Sequence, residues 1–207
     1  MVRSLLSLHC HSTPTTLDFE ITGTGALSSA VRALGYGRFA QVAEAVRALP
    51  YSRVRDTEEI LAVLDEQKGT CSSKHRFLAA LAHECGYTDV KLMLGLYEMS
   101  EKNTPGVGGV LGAAGIDAIP EAHCYLTYQG RRFDFTGLAP GCASPFDTLI
   151  EERTVSPSEV TSVKAAFHGD ALAKWARSRH VDLAHAWKIR EECIRLLADT
   201  TPPGKNA

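Results

Sequence analysis

The sequence predicts an α+β fold in which a helix opening at Cys71 packs on an antiparallel sheet, with helical extensions at both ends. Three observations carry this. A glycine-bounded amphipathic stretch runs from 71 to 85, two short strand patterns at 123–128 and 131–136 meet at Gln129-Gly130, and helical periodicity fills the chain before 50 and beyond 156.

Taken in order, residues 1–22 are polar and irregular, with a strand expected at 16–22. Two helices follow at 25–34 and 37–48, the second ended by Pro50. A third is expected over 57–68, capped by Asp56 with Glu59 reaching back and closed by Gly69 in a left-handed conformation. The helix from Cys71 buries Phe77, Leu78 and Leu81 and stops at Gly86, and residues 90–97 read as a strand. Residues 99–121 are rich in glycine and predict a long loop bordering the site, with the freedom to act as a lid. Beyond a second capping-box pattern at Ser156-Pro157-Ser158-Glu159 the chain reads as helical to about 198. One domain is expected over 1–207, made of an N-terminal helical region (1–54), a core (55–150) and a C-terminal helical extension (151–207).

Composition limits the function. With 22 basic and 24 acidic residues the formal charge is −2, which offers no electrostatic footprint for nucleic acid or an anionic membrane surface. No stretch is apolar for the ~20 residues of a membrane span, and the opening segment is too interrupted for a secretory leader. The six cysteines lack metal-type spacing or a dense disulfide framework, so free thiols in a reducing cytoplasm are expected. No cofactor or metal is implied. His9-Cys10-His11 would divide between strand faces, and His180, Asp182 and His185 lack ligand spacing on a charged helix.

Chemistry concentrates on Cys71, His123 and Asp134. A cysteine in a first helical turn meets unpaired N–H groups and the positive end of the helix dipole, both of which favour thiolate. A two-residue turn at Gln129-Gly130 pairs Tyr125 with Asp134 and Thr127 with Arg132, which brings His123 and Asp134 to one sheet face as diagonal neighbours roughly 7 Å apart at Cβ. A carboxylate on one ring nitrogen would orient the histidine for proton transfer at the other. Leu126, Phe133 and Phe135 fall on the packing face, and Cys124 points away from His123 into the core. His75 reads as a packing residue, Gln67 as a helix end, and Trp175 and Trp187 as packing for the C-terminal helices. The Cys71 backbone N–H is the expected oxyanion donor.

The run Gly69-Thr70-Cys71-Ser72-Ser73-Lys74-His75 into Leu78-Ala-Ala-Leu81, followed by Ala122-His123 and Arg132-Phe133-Asp134-Phe135-Thr136, resembles the transglutaminase-like superfamily of papain-like fold. The likeness covers about residues 55–140, with 52 residues from Cys71 to His123 and 11 from there to Asp134. The family's frequent tryptophan beside the histidine is absent. The resemblance implies a Cys-His-Asp triad on Cys71, His123 and Asp134, and cysteine-nucleophile acyl transfer or amide/peptide hydrolysis through a thioester on Cys71. A small-molecule, peptide or protein acyl substrate would be the partner. The family also contains inactive members, so a catalytically inactive binding or scaffold domain is the alternative.

Overall fold

Alternation of side chains along two neighbouring strands sets the frame. In the computed structural model, which describes residues 17–137 and 143–200, these are β1 (Lys91–Met99) and β2 (Ile119–Tyr128). With β3 (Arg131–Phe133) and β4 (Leu149–Val155) they form an antiparallel sheet of order β3-β2-β1-β4. Leu92, Leu94 and Leu96 lie opposite Leu126, Cys124 and Ala122, making one face continuously apolar, while Gly95 and Tyr97 lie opposite His123 and Glu121 on the other.

Among the described residues seven α-helices surround the sheet: α1 (Ala26–Ala33), α2 (Phe39–Ala48), α3 (Ala62–Asp65), α4 (Cys71–Glu84), α5 (Gly108–Ala113), α6 (Val160–Ser178) and α7 (Leu183–Thr200). The apolar stripe of α4, Phe77, Leu78 and Leu81, is fully buried in the core shared with α1, α2 and the leucines of β1. Gly86, at φ +88, ends α4 as its position predicts, with Gly86 N–H on the His83 carbonyl and Tyr87 N–H on that of Ala82. At the β2–β3 turn Gln129 and Gly130 both take positive φ, the two-residue geometry that matches strand twist, and Thr127 pairs with Arg132 as the register predicts.

Several expectations are corrected. The 57–68 helix is reduced to α3: Asp56 accepts from the N–H of Glu58 and Glu59, and Glu59 bonds Leu61 locally instead of reaching back. Gln67, not Gly69, takes the left-handed conformation. Gly69 instead bridges Tyr51, where an added Cβ would come within 2.9 Å of the Lys74 side chain. The described part of the 16–22 strand pairs only through Glu20 and Arg38, because its alternating Leu17, Phe19 and Ile21 bury side chains, Phe19 stacking on Phe39 and Tyr87.

Residues 99–121 are not an open loop either. Met99 closes β1, α5 fills the middle and Ile119 opens β2, and Val107 and Leu111 pack with Leu172, Ala186 and Cys193 of the last two helices in a second core. Thr104 of the same segment lines the space at Cys71 and His123, so the segment borders the site as expected. Strand β4 was not anticipated; Glu151, Glu152 and Arg153 mask its pattern, and it carries the sheet across the expected 150/151 boundary. Residues 156–159 form a turn rather than a capping box, with Ser156 and Ser158 bonding each other. The C-terminal helical stretch breaks at His180 (φ 54), so that His180 lies in a turn while Asp182 caps α7 through the His185 N–H. No helix among the described residues is long and apolar enough to cross a membrane. His9-Cys10-His11 lies outside the described residues.

Candidate active site

The first turn of α4 places the thiol. Thr70 is extended (φ −89, ψ 175) and donates its N–H to Ser73 Oγ at 2.9 Å, so the helix begins at Cys71 with that residue's own N–H free of any intrahelical acceptor. The side chain is only 4% exposed. Lys164 of α6 donates to Cys71 Sγ at 3.3 Å and to Ser72 Oγ at 2.9 Å. Cys124, from the core face of β2, hydrogen-bonds the thiol and is the largest influence lowering its pKa. Burial opposes this, but the charges of Lys164 and His123 add to it and hold Cys71 well below the ordinary thiol range. The same hydrogen bond, together with burial, pushes Cys124 up.

The β2–β3 hairpin delivers the other two groups. β3 ends at Phe133, and Asp134 follows at the point where the chain leaves the ladder. His123 Nε2 donates to Asp134 Oδ2 at 2.7 Å, while Oδ1 accepts from Thr136 N–H at 2.9 Å and Oγ1 at 2.5 Å. With Nε2 so occupied, Nδ1 is the nitrogen left for the Cys71 thiol, with which His123 also interacts. Burial pulls the imidazole pKa down, but the charge and hydrogen bond of Asp134 and the nearby Cys71 thiol outweigh it and raise His123 to about 10. Burial likewise pulls Asp134 up, and His123 and Thr136 hold it well below the usual carboxylate range. These shifts all favour the charged forms: thiolate at Cys71, imidazolium at His123 and carboxylate at Asp134.

Two polar residues of α4 anchor this arrangement. His75 is fully buried, donates from Nδ1 to the Cys71 carbonyl at 2.8 Å, and accepts the Phe135 N–H at Nε2 at 2.7 Å. Those bonds define a neutral tautomer, and burial lowers its pKa further. Lys74, also buried, donates to the carbonyls of Arg47, Leu49 and Thr136 at 3.2, 2.7 and 2.8 Å, and burial brings its pKa down to about 8. Sequence reasoning set His75 aside and did not single out Lys74. Their alignment with buried Leu78 and Leu81 one and two turns later was the available signal. Lys164 had no local signal, being supplied by a helix 93 residues away.

Gln67 is exposed and spends its amide on the Leu64 carbonyl at 2.5 Å, ending α3. Trp187 packs against His168 and lines a cavity of about 320 Å³ that also reaches Ser72 and Lys164. The space directly at Cys71 and His123 is about 10 Å³, walled by Tyr51, Tyr97, Ile194 and Leu197. Among the described residues no group of three or more His, Cys, Asp or Glu is placed to hold a metal ion. No protein-family model, curated protein or solved structure matches this chain.

Proposed function

We propose that the chain is a cysteine-nucleophile acyltransferase or amide/peptide hydrolase with a papain-like, transglutaminase-like core. The observation that carries this reading is the 2.7 Å bond between His123 Nε2 and Asp134 Oδ2, which leaves Nδ1 available to the Cys71 thiol at the start of a helix. In the proposed reaction the Cys71 thiolate attacks an acyl carbonyl, and the oxyanion that forms lies toward the Cys71 N–H. The imidazolium of His123 gives its Nδ1 proton to the leaving group as the carbon–leaving-group bond breaks, and a thioester remains. Neutral His123 then takes a proton from the acceptor, water or an amine, which displaces the thiol. Asp134 holds the ring in orientation and keeps the proton at Nε2.

A second reading, a binding or scaffold domain without turnover, is favoured by the 4% exposure of Cys71 and the ~10 Å³ at the site, room for about one water. Limiting iodoacetamide at near-neutral pH, read by peptide mass spectrometry, separates the two. The enzyme reading expects Cys71 to be labelled well ahead of Cys85, Cys124 and Cys193; comparable labelling of Cys71 and the partly exposed Cys85 favours the scaffold.

A further inference from the structure

The space at Cys71 and His123 admits nothing larger than a water, so the body of an acyl substrate must lie elsewhere. The 320 Å³ cavity between α4, α6, α7 and the segment around Tyr51 adjoins the first turn of α4. Its wall includes Ser72 and Lys164, and the Lys164 ammonium touches both Ser72 Oγ and Cys71 Sγ. A swing of that one flexible side chain joins the cavity to the nucleophile.

Apolar residues share the lining with threonine and serine hydroxyls, His168 and four cations. Lys164, Arg53, Arg76 and Arg190 all contribute, and no Asp or Glu is among the residues that line it. Two of these charges are balanced from behind, Arg190 by Glu121 at 2.7 Å and Arg53 by Glu191 at 2.9 Å. Arg76 is held chiefly by the carbonyls of Pro157, Thr57 and Glu58, with the Glu58 carboxylate 4.0 Å away. Lys164 faces the Cys71 thiolate. When that thiolate becomes a thioester its negative charge is gone, and the ammonium keeps only the field of Glu121, a carboxylate that Arg190 already pairs at 2.7 Å. An anionic group on the bound acyl moiety restores the balance.

We infer that this cavity is the acyl-binding site and that it selects a small acyl compound carrying a carboxylate, with Lys164 at the junction of cavity and thiol. The inference rests on the acyl-transfer reading of Cys71. Its size sits at the lower end of small-ligand pockets, which suits a metabolite-sized group rather than a folded protein segment.

The test compares carboxymethylation of Cys71 by iodoacetate with carbamidomethylation by iodoacetamide in the full chain, each referenced to free cysteine in the same buffer. The expected iodoacetate preference exceeds that of free cysteine by about tenfold and shrinks with added salt. Ala165→Glu and, independently, Thr161→Glu place a carboxylate on the exposed α6 wall of the cavity and should bring the ratio back toward the free-cysteine value. Two variants, each checked for a native melting transition, guard against a misfolded one. Rapid labelling of Cys71 with no preference, or a preference that neither variant moves, overturns the carboxylate site and leaves the nucleophile standing. Labelling of Cys71 no faster than that of Cys85 by either reagent overturns both.

Discussion

Replacing Lys164 with methionine removes a positive charge 3.3 Å from the Cys71 sulfur while shortening the side chain by one atom. At an effective dielectric of ~20, unit charges at that distance attract by about 5 kcal/mol. Relaxation and water entering the truncated site remove most of this, leaving an expected rise in the Cys71 pKa of about 1 to 2 units, at roughly 1.4 kcal/mol each. The assay is the rate of Cys71 alkylation by iodoacetamide followed from about pH 4 to 9, below and above an ordinary thiol's ~8.5. Losing a cation disfavours thiolate, so the K164M profile should move to higher pH and its neutral-pH rate should fall. Lys164→Arg keeps the charge and should stay near wild type. A K164M midpoint equal to wild type would refute the claim that Lys164 holds the thiolate.

Other consequences follow from the same geometry. In any acyl-transfer assay, Cys71→Ala should abolish activity and His123→Ala nearly do so, while Asp134→Asn should leave more, because the carboxylate acts through the ring; D134N activity below H123A would contradict the assigned roles. The ion pair also sets a pH window. His123, raised to about 10, contributes stability in full below its unfolded value of ~6.5 and loses it as pH climbs through 10; Asp134, lowered, contributes above ~3.9 and loses it in acid. Cys71, lowered from an unfolded ~8.5, contributes above that value and loses stability as pH falls, so it opposes His123 between ~6.5 and ~8.5; thermal melts should be flattest there, with an alkaline decline through 10 that flattens in His123→Ala. Lys74→Met strands three buried carbonyls and should cost about 2–4 kcal/mol in denaturant unfolding; a loss under about 0.5 would mean water replaces the ammonium.

The parts of the fold legible in sequence were those with local signals: α1, α2, α4 with its Gly86 stop, the β2–β3 hairpin and its register, and through that register the meeting of His123 with Asp134. Elements governed by distant packing were not legible. β4 carries three consecutive charges and gains its place from pairing with β1, and α5 looked like a loop because its glycines conceal the few apolar residues, Val107 and Leu111, that seat it against α6 and α7. Within the site, Cys71, His123 and Asp134 follow from residue type and order, whereas Lys164 reaches the thiol and Cys124 the adjoining Ser72 hydroxyl only because α6 and the core face of β2 close on the start of α4.

The geometry of the triad is nevertheless less dependent on the whole sheet than its three separate elements suggest. Asp134 lies beyond the last paired residue of β3, where a strand ladder no longer restrains it. It is α4 that does so: His75 takes the Phe135 N–H and Lys74 the Thr136 carbonyl, while Thr136 in turn donates twice to the Asp134 carboxylate. His75 also bonds the carbonyl of Cys71 itself. Cys71 and Asp134 are thereby tied through two adjacent side chains one turn along a single helix, so a shift of α4 carries both groups together. His123 then needs only to reach between them from β2. In this arrangement a buried neutral histidine and a buried lysine act as positioning residues, and their polarity, costly in a core, is satisfied by the backbone of the segment they hold.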